Sequence, residues 1–337
     1  MNWDKGFTGR YYVNFVDPET WRDLERFEIT GGSIKRSDSG LMHSADIDCV
    51  NYAEKYERWI RVYMDARQSG ASAHEPLFTG LATAPENDIN GTLITNQLTC
   101  YSVLKSSQDV LLPIGYYAPT GVSGAELVKQ LLSESTPAPI EIIGNSPALS
   151  QYIIAENNEN YLSMSQKILT AINWRIRLKG NGSIELRPMA SLNEVEVRLD
   201  PIEHDSIKPK LKAVNDWYNC PNVFRAVMDD TSATARDDSL TNPLSTINRG
   251  REVWMEERDC HLAKNETLAE YSQRRLKEEQ QHYLAVEYDR RFYPNVLPSD
   301  LIGLYYPAQG VNGIFYVSEQ SISISYGAET SEEVVQV

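Results

Sequence analysis

A period-two alternation broken by glycine constrains this chain more than any other feature. In "INWRIRLKGNGSIELRP", residues 172–188, Ile172, Trp174, Ile176 and Leu178 alternate with Asn173, Arg175, Arg177 and Lys179. Gly180-Asn181-Gly182 follows, then Ile184 and Leu186, and Pro188 ends the run. Successive strand side chains point to opposite faces, so the segment reads as a β-hairpin with one apolar face, Trp174 being its largest member. It carries no nucleophile, metal ligand or phosphate cradle. Gly180-Asn181-Gly182 joins two strands and does not open a helix, so it is a turn and not a phosphate loop.

The same alternation fills residues 1 to about 105. "GRYYVNFVD", "RFEITGGSIKRS", "ADIDCVNYA" and "RWIRVYMDA" read as strands, and "EPLFTGLATAPENDINGTLITNQLTCYSVLKS" as two more joined through Asn90-Gly91. Short strands at this spacing predict a small barrel or sandwich. The pattern then changes. Ser123 and Glu126 form a capping box ahead of Leu127, Leu131 and Leu132, and Asn160 caps a helix sharing Leu162, Ile168, Leu169 and Ile172 on one face. That helix runs into the hairpin, so residues 106–200 predict a mixed α/β domain. β character returns from 201 with "IKPKLKAVNDWYNCPNVFRAVMDD". Residues 229–248 are polar and predict a long mobile loop, ordered by a neighbour. Residues 262–284 predict a helix, "PSDLIGLYYPAQGVNGIFYVSEQSISISYGAE" a last set of strands, and "TSEEVVQV" a loose end.

Charge narrows the function. Thirty-two basic residues against 47 acidic ones give −15, which argues against binding by phosphate neutralisation. Arg274, Arg275 and Lys277 are followed at once by Glu278 and Glu279, as on a solvated helix face. The first residues lack a signal pattern and no apolar run reaches membrane-spanning length. Cys49, Cys100, Cys220 and Cys260 are scattered without a CxxC, which suits buried thiols in a reducing compartment. Nineteen tyrosines point to half-buried strands and to interfaces.

No catalytic constellation emerges. Cys260-His261 with His282 lacks ligand spacing, and the other histidines, His43, His74 and His204, form no HxH or HExxH. Asp229-Asp230 and Asp237-Asp238 lack calcium-loop spacing and read as solvated loop acids. Asn265-Glu266-Thr267 has the glycosylation pattern but no secretory context. The chain is expected to be no enzyme, and no residue is assigned to catalysis, a cofactor or a metal.

Three stretches carry a resemblance: "YLSMSQKILTAINWRIRLKGNGSIELRP", then "NDWYNCPNVFRAV" with "DDSLTNPLSTINRGR", then "PSDLIGLYYPAQGVNGIFYVSEQSISISYGAETSEEV". In order and spacing they resemble the baseplate hub protein of contractile phage tails, and of related particles such as defective prophages and tailocins. The likeness spans nearly the whole chain and rests on strands, turns and an Asp/Pro/Gly skeleton. It implies a β-dominated α+β fold, with two small β-barrel domains flanking a mixed α/β middle domain that the second barrel interrupts. The first barrel would take residues 1–105. The middle domain would take 106–200 and 256–290, with the 262–284 helix packed on the hairpin's body. The second barrel would take 201–255 and 291–327, leaving a tail at 328–337.

The resemblance also implies partners. Three copies would form a ring of six barrels that adapts a sixfold tail tube to a threefold central spike. The homotrimer would contact the spike, the tube or tube-initiator protein, the tape-measure protein and the baseplate wedge. It would be assembled in the bacterial cytoplasm and carried in the particle's baseplate, with no sequence-specific nucleic-acid binding and no membrane insertion. Two rival readings remain. One is the hub module of a non-contractile tail, disfavoured because the chain stops soon after the last barrel. The other is a cell-wall hydrolase or carbohydrate-binding module, with Trp21, Trp217 and Trp254 as stacking surfaces.

Overall fold

The computed structural model describes residues 1–50, 52, 54–90, 93–189, 195–199, 207–215, 218–258, 260, 262, 266–280, 284–307, 310–325 and 327–337. Strands take 49% of the described residues and helices 15%, a β-dominated α+β fold. The first body contains β1 (Thr8–Val16), β2 (Asp23–Glu28), β3 (Gly31–Ser37), β4 (His43–Val50), β5 (Arg58–Gln68), β6 (Ala71–Ala82), β7 (Glu86–Asn90) and β8 (Leu93–Ser102). They pair in the order β3-β4-β8-β6-β5-β1-β2, with β7 on β8. Val13, Ile34, Ile47, Ile60, Val62 and Leu98 are fully buried in its core, as the period-two alternation requires. Gly91, the expected turn glycine, lies outside the described residues.

The middle body contains α1 (Lys105–Asp109), β9 (Tyr117–Ala118), α2 (Gly124–Ser135), β10 (Ile140–Ile142), β11 (Ile153–Ile154), α3 (Tyr161–Ala171), β12 (Trp174–Leu178) and β13 (Ile184–Pro188). Both expected caps are present. Ser123 accepts a hydrogen bond from the Glu126 amide at 3.4 Å, and Asn160 Oδ1 accepts one from the Ser163 amide at 2.8 Å. β12 and β13 form the expected hairpin, with Ile176 opposite Leu186, and β10 joins β13 in parallel. Trp174, Ile176, Leu178, Ile184 and Leu186 are buried beneath α2 and α3.

The rest of the chain supplies β14 (Val195–Leu199), β15 (Ile207–Asn215), β16 (Val223–Met228), β17 (Thr231–Arg236), α4 (Thr246–Arg249), β18 (Trp254–Arg258), α5 (Leu268–Gln280), β19 (Leu284–Arg291), β20 (Leu301–Tyr306), β21 (Val311–Ser323) and β22 (Glu329–Gln336). Here the structure departs from several expectations. β16, β17 and β18 do not enter the second β body. They make a separate sheet in the order β17-β16-β18. α5 covers that sheet and not the hairpin, because Tyr271 and Leu276 bury against Phe224, Ala226 and Ala235. α5 is also shorter than expected. Thr267 and Glu270 form a capping box, the Thr267 amide donating to Glu270 Oε2 at 2.8 Å and the Glu270 amide to Thr267 Oγ1 at 3.2 Å. β19 leaves the expected middle domain to pair with β15 and β22. The expected tail is β22 itself, paired on both sides, by β19 and β21.

The expected mobile loop is also built. β17 occupies its first part, and side chains cross-link the remainder. Asn242 Oδ1 accepts from the Leu244 amide at 3.0 Å, Asn248 Nδ2 donates to the Asn242 carbonyl at 2.7 Å, and Asn222 Nδ2 donates to the Leu244 carbonyl at 3.1 Å. Leu244 is fully buried as a plug. Asp and Asn in this stretch therefore serve as local hydrogen-bond organisers.

The second body pairs in the order β15-β19-β22-β21, with β20 on β21 and β14 on β20. Its edge continues into the first body, because β21 and β3 are antiparallel neighbours, with Ile322 opposite Ile34 and Gln320 opposite Arg36. The two β bodies thus share one sheet.

Candidate functional site

The hairpin's second face is buried as well, and it forms the centre of the molecule's polar architecture. Alternation turns Arg175 and Arg177 away from the apolar layer. Arg177 meets Asp300, ahead of β20, in a two-pronged contact, Nε to Oδ1 at 3.1 Å and Nη2 to Oδ2 at 2.7 Å. Across the hairpin it also reaches Glu185 at 3.4 Å, and Lys179 pairs with the same carboxylate. Arg175 lies 3.7 Å from Asp300. Burial alone would lower the Arg177 pKa, but the bonds and charge of Asp300, with Glu185, outweigh it and leave it raised. Burial would likewise raise Glu185, yet Lys179 and Arg177 hold it below its ordinary value.

The hairpin tip engages the first body. Thr79 Oγ1 donates to the Gly180 carbonyl at 2.9 Å and receives Arg61 Nε at 3.0 Å. Trp21 Nε1 donates to the Asn181 carbonyl at 3.2 Å. A Cβ on Gly180 would sit 1.9 Å from the Pro76 carbonyl oxygen, so only glycine permits this approach. One hairpin therefore contacts both β bodies, the first through its tip and the second through its arginines.

Beside it, the shared sheet carries an enclosed ionic cluster. Arg290 of β19 grips Glu332 of β22, Nε to Oε2 at 2.6 Å and Nη2 to Oε1 at 2.5 Å. Tyr288 donates to Glu332 at 2.5 Å, and Gln320 Nε2 donates both to Glu332 at 2.5 Å and to the Val296 carbonyl at 3.0 Å. Burial pushes Glu332 up, but Arg290, Tyr288 and Gln320 together bring it below the ordinary glutamate value. Arg36 of β3 completes the cluster and donates to the Leu77 carbonyl at 2.5 Å.

The chemistry-bearing residues singled out in the sequence are not brought together. Cys260 and Cys220 are buried thiols, donating to the Glu257 carbonyl at 3.3 Å and the Glu279 carbonyl at 3.6 Å. His204, His261, His282, Trp217 and Asn265 lie outside the described residues. Asp237 and Asp238 are loop organisers; Asp238 pairs with Arg236 at 2.8 Å. Trp21 is held under the hairpin tip, and Trp254 lies on the edge of another sheet. Among the described residues no group of three or more His, Cys, Asp or Glu is placed to hold a metal ion. No described helix is long and apolar enough to cross a membrane.

The residues that matter most, Arg36, Arg290, Asp300, Gln320 and Glu332, were not singled out in the sequence. A signal was present. Arg36 follows Ile34 by two, Glu332 precedes Val334 by two and Gln320 precedes Ile322 by two, so each polar residue sits at an inward-facing position of its strand.

No protein-family model matches the sequence, and no curated protein matches it. Solved structures do. A tail protein from Neisseria meningitidis superposes with a TM-score of 0.72 at 13% identity, covering 98% of this chain and 97% of that one. The 43 kDa tail protein of prophage MuSo2 from Shewanella oneidensis gives 0.70 at 12% identity, covering 97% and 96%. An E. coli component of the type VI secretion system, described as structurally similar to the bacteriophage T4 tail proteins gp27 and gp5, gives 0.54 at 9% identity, covering 92% and 73%. This chain has the fold of these tail proteins from end to end.

Proposed function

We propose that this protein is a structural baseplate hub of a contractile phage tail or a related particle, type VI machinery included. The carrying observation is that one chain holds two β bodies in a single sheet, with a hairpin contacting both, in a fold matched over nearly its full length by a tail protein and a prophage tail protein. In this reading residues 1–105 form one ring module and the second β body the other, so a homotrimer presents six. Six modules meet a sixfold tail tube or its initiator on one side and a threefold central spike on the other. The tape-measure and wedge proteins are the remaining neighbours, and the particle's baseplate is its location.

The acidic balance supports this role. Three copies would carry 3 × −15 = −45 formal charges, and a bore crossed by DNA should not retain phosphate. Catalysis has no part in the proposal. The carbohydrate-binding alternative loses one of its platforms, since Trp21 is committed to the hairpin tip. Mass photometry of the hub reconstituted with its spike tests the reading. Three hub copies are expected; two or six would overturn it.

A further inference from the structure

Arg36 is a buried cation that no carboxylate among the described residues pairs with. It is 2% exposed, and burial, with Arg290 and Arg177 nearby, pulls its pKa down to about 10. Glu332, the acid whose charge acts on Arg36, is committed to Arg290, and the acids beside Arg177 and Lys179 are taken up by those two cations. His43, opposite Arg36 on β4, stays neutral because burial and the Arg36 charge hold its pKa far down. Among the described residues the guanidinium has one carbonyl acceptor, Leu77, and its enclosed Nε has no partner. An uncompensated buried charge is costly, and a carboxylate brought up beside it would offset that cost.

Arg36 also lines a cleft of about 370 Å³ at the meeting point of the three bodies. Arg177 and Lys179 of the hairpin share its wall, with Phe292 and Leu297 from the second body and Glu75 at one side. No hydrogen bond joins Glu75 to Arg36 among the described residues.

We propose that this cleft is a carboxylate-binding site, filled by an aspartate or glutamate side chain from a neighbouring polypeptide. Arg36 supplies the uncompensated charge, while Arg177 and Lys179, held in place by Asp300 and Glu185, shape the wall beside it. Glu75 and the acidic chain as a whole disfavour a multiply charged phosphate polymer, so a single carboxylate on a peptide is the ligand the cleft suits. The site stands on the chain's own geometry; only the source of the carboxylate rests on the assembly reading above.

The test titrates the full chain with an end-blocked glycyl-aspartyl-glutamyl-glycine peptide, with its asparagine–glutamine counterpart and with inorganic phosphate, by calorimetry. Saturable binding of the acidic peptide alone is expected, weakened about tenfold by Arg36→Gln, the worth of one hydrogen bond to a charged group. Glu75→Gln removes a competing negative charge without touching Arg36 and is expected to tighten binding about two- to threefold. A melting curve for each variant checks that it folds; should Arg36→Gln unfold, the Glu75→Gln arm decides. No binding, equal binding of both peptides, phosphate binding in place of the peptide, or affinity indifferent to Glu75→Gln overturns the site. The copy number in the hub–spike complex is measured separately, so failure of the site and failure of the hub reading are told apart.

Discussion

Trp174, Ile176 and Leu178 point from β12 into an apolar layer, while Arg175 and Arg177 point from the same strand into a polar one. Both faces are buried, but they do different work. The apolar face joins the hairpin to helices that precede it closely in sequence. The polar face joins it to Asp300, more than a hundred residues away. Apolar burial is tolerant of direction and secures the middle body's own stability. A two-pronged Arg–Asp contact is directional, and buried ion pairs add little net stability while fixing geometry. The contrast teaches that the hairpin belongs to one body energetically and orients another.

The largest effect should come from the apolar side. Trp174→Ala deletes a buried aromatic and should cost about 3–5 kcal/mol, seen as a sharp fall in melting temperature. An unchanged melting curve would mean that the apolar face does not hold the middle body.

Asp300→Ala should come next. It leaves Arg177 with Glu185 at 3.4 Å and the Asn295 carbonyl at 3.5 Å and should cost about 3 kcal/mol, the lower end for breaking a buried pair. Its signature in urea should be a broadened or two-step unfolding curve, since the ion pair lost lies between bodies, with only the Leu297 amide losing an acceptor inside one. A single sharp transition would dissolve the distinction between the faces.

The smallest effect should be the pH dependence. Buried His43 has a depressed pKa, so the unfolded chain takes up a proton first and stability should begin to fall below about pH 6.5. Glu332 and Glu185 are also depressed. Their contribution is present above the unfolded glutamate value of about 4.3 and is lost as pH falls through their folded values. Urea unfolding from pH 7 to pH 3 should show both declines, and Glu185→Gln should flatten only the second. A decline in acid unchanged by Glu185→Gln would remove the polar face from the account.

Much of this was legible in the sequence. The caps Ser123 and Asn160, the hairpin turn and the inward faces of the early strands are local signals, written within a few residues. The rest is not local. β3 meets β21 across most of the chain's length, and nothing in "GGSIKRS" names its partner edge. Inward polar residues such as Glu332 break the apolar alternation, so β22 reads as a loose polar end although it is a paired inner strand. The resemblance puts α5 on the hairpin's body, and it packs instead on the β16 sheet, because helical periodicity reveals a face but not what the face meets.

The most direct measurement is amide hydrogen exchange across the shared sheet, at residues 33–37 of β3 and 319–323 of β21, in the wild-type chain and in Asp300→Ala. If the hairpin's polar face holds the two β bodies in register, these amides should lose protection in the variant while β5 and β6, inside the first body, keep theirs. Unchanged protection at the β3–β21 pairing would contradict the account, because the sheet would then hold the bodies together without the hairpin.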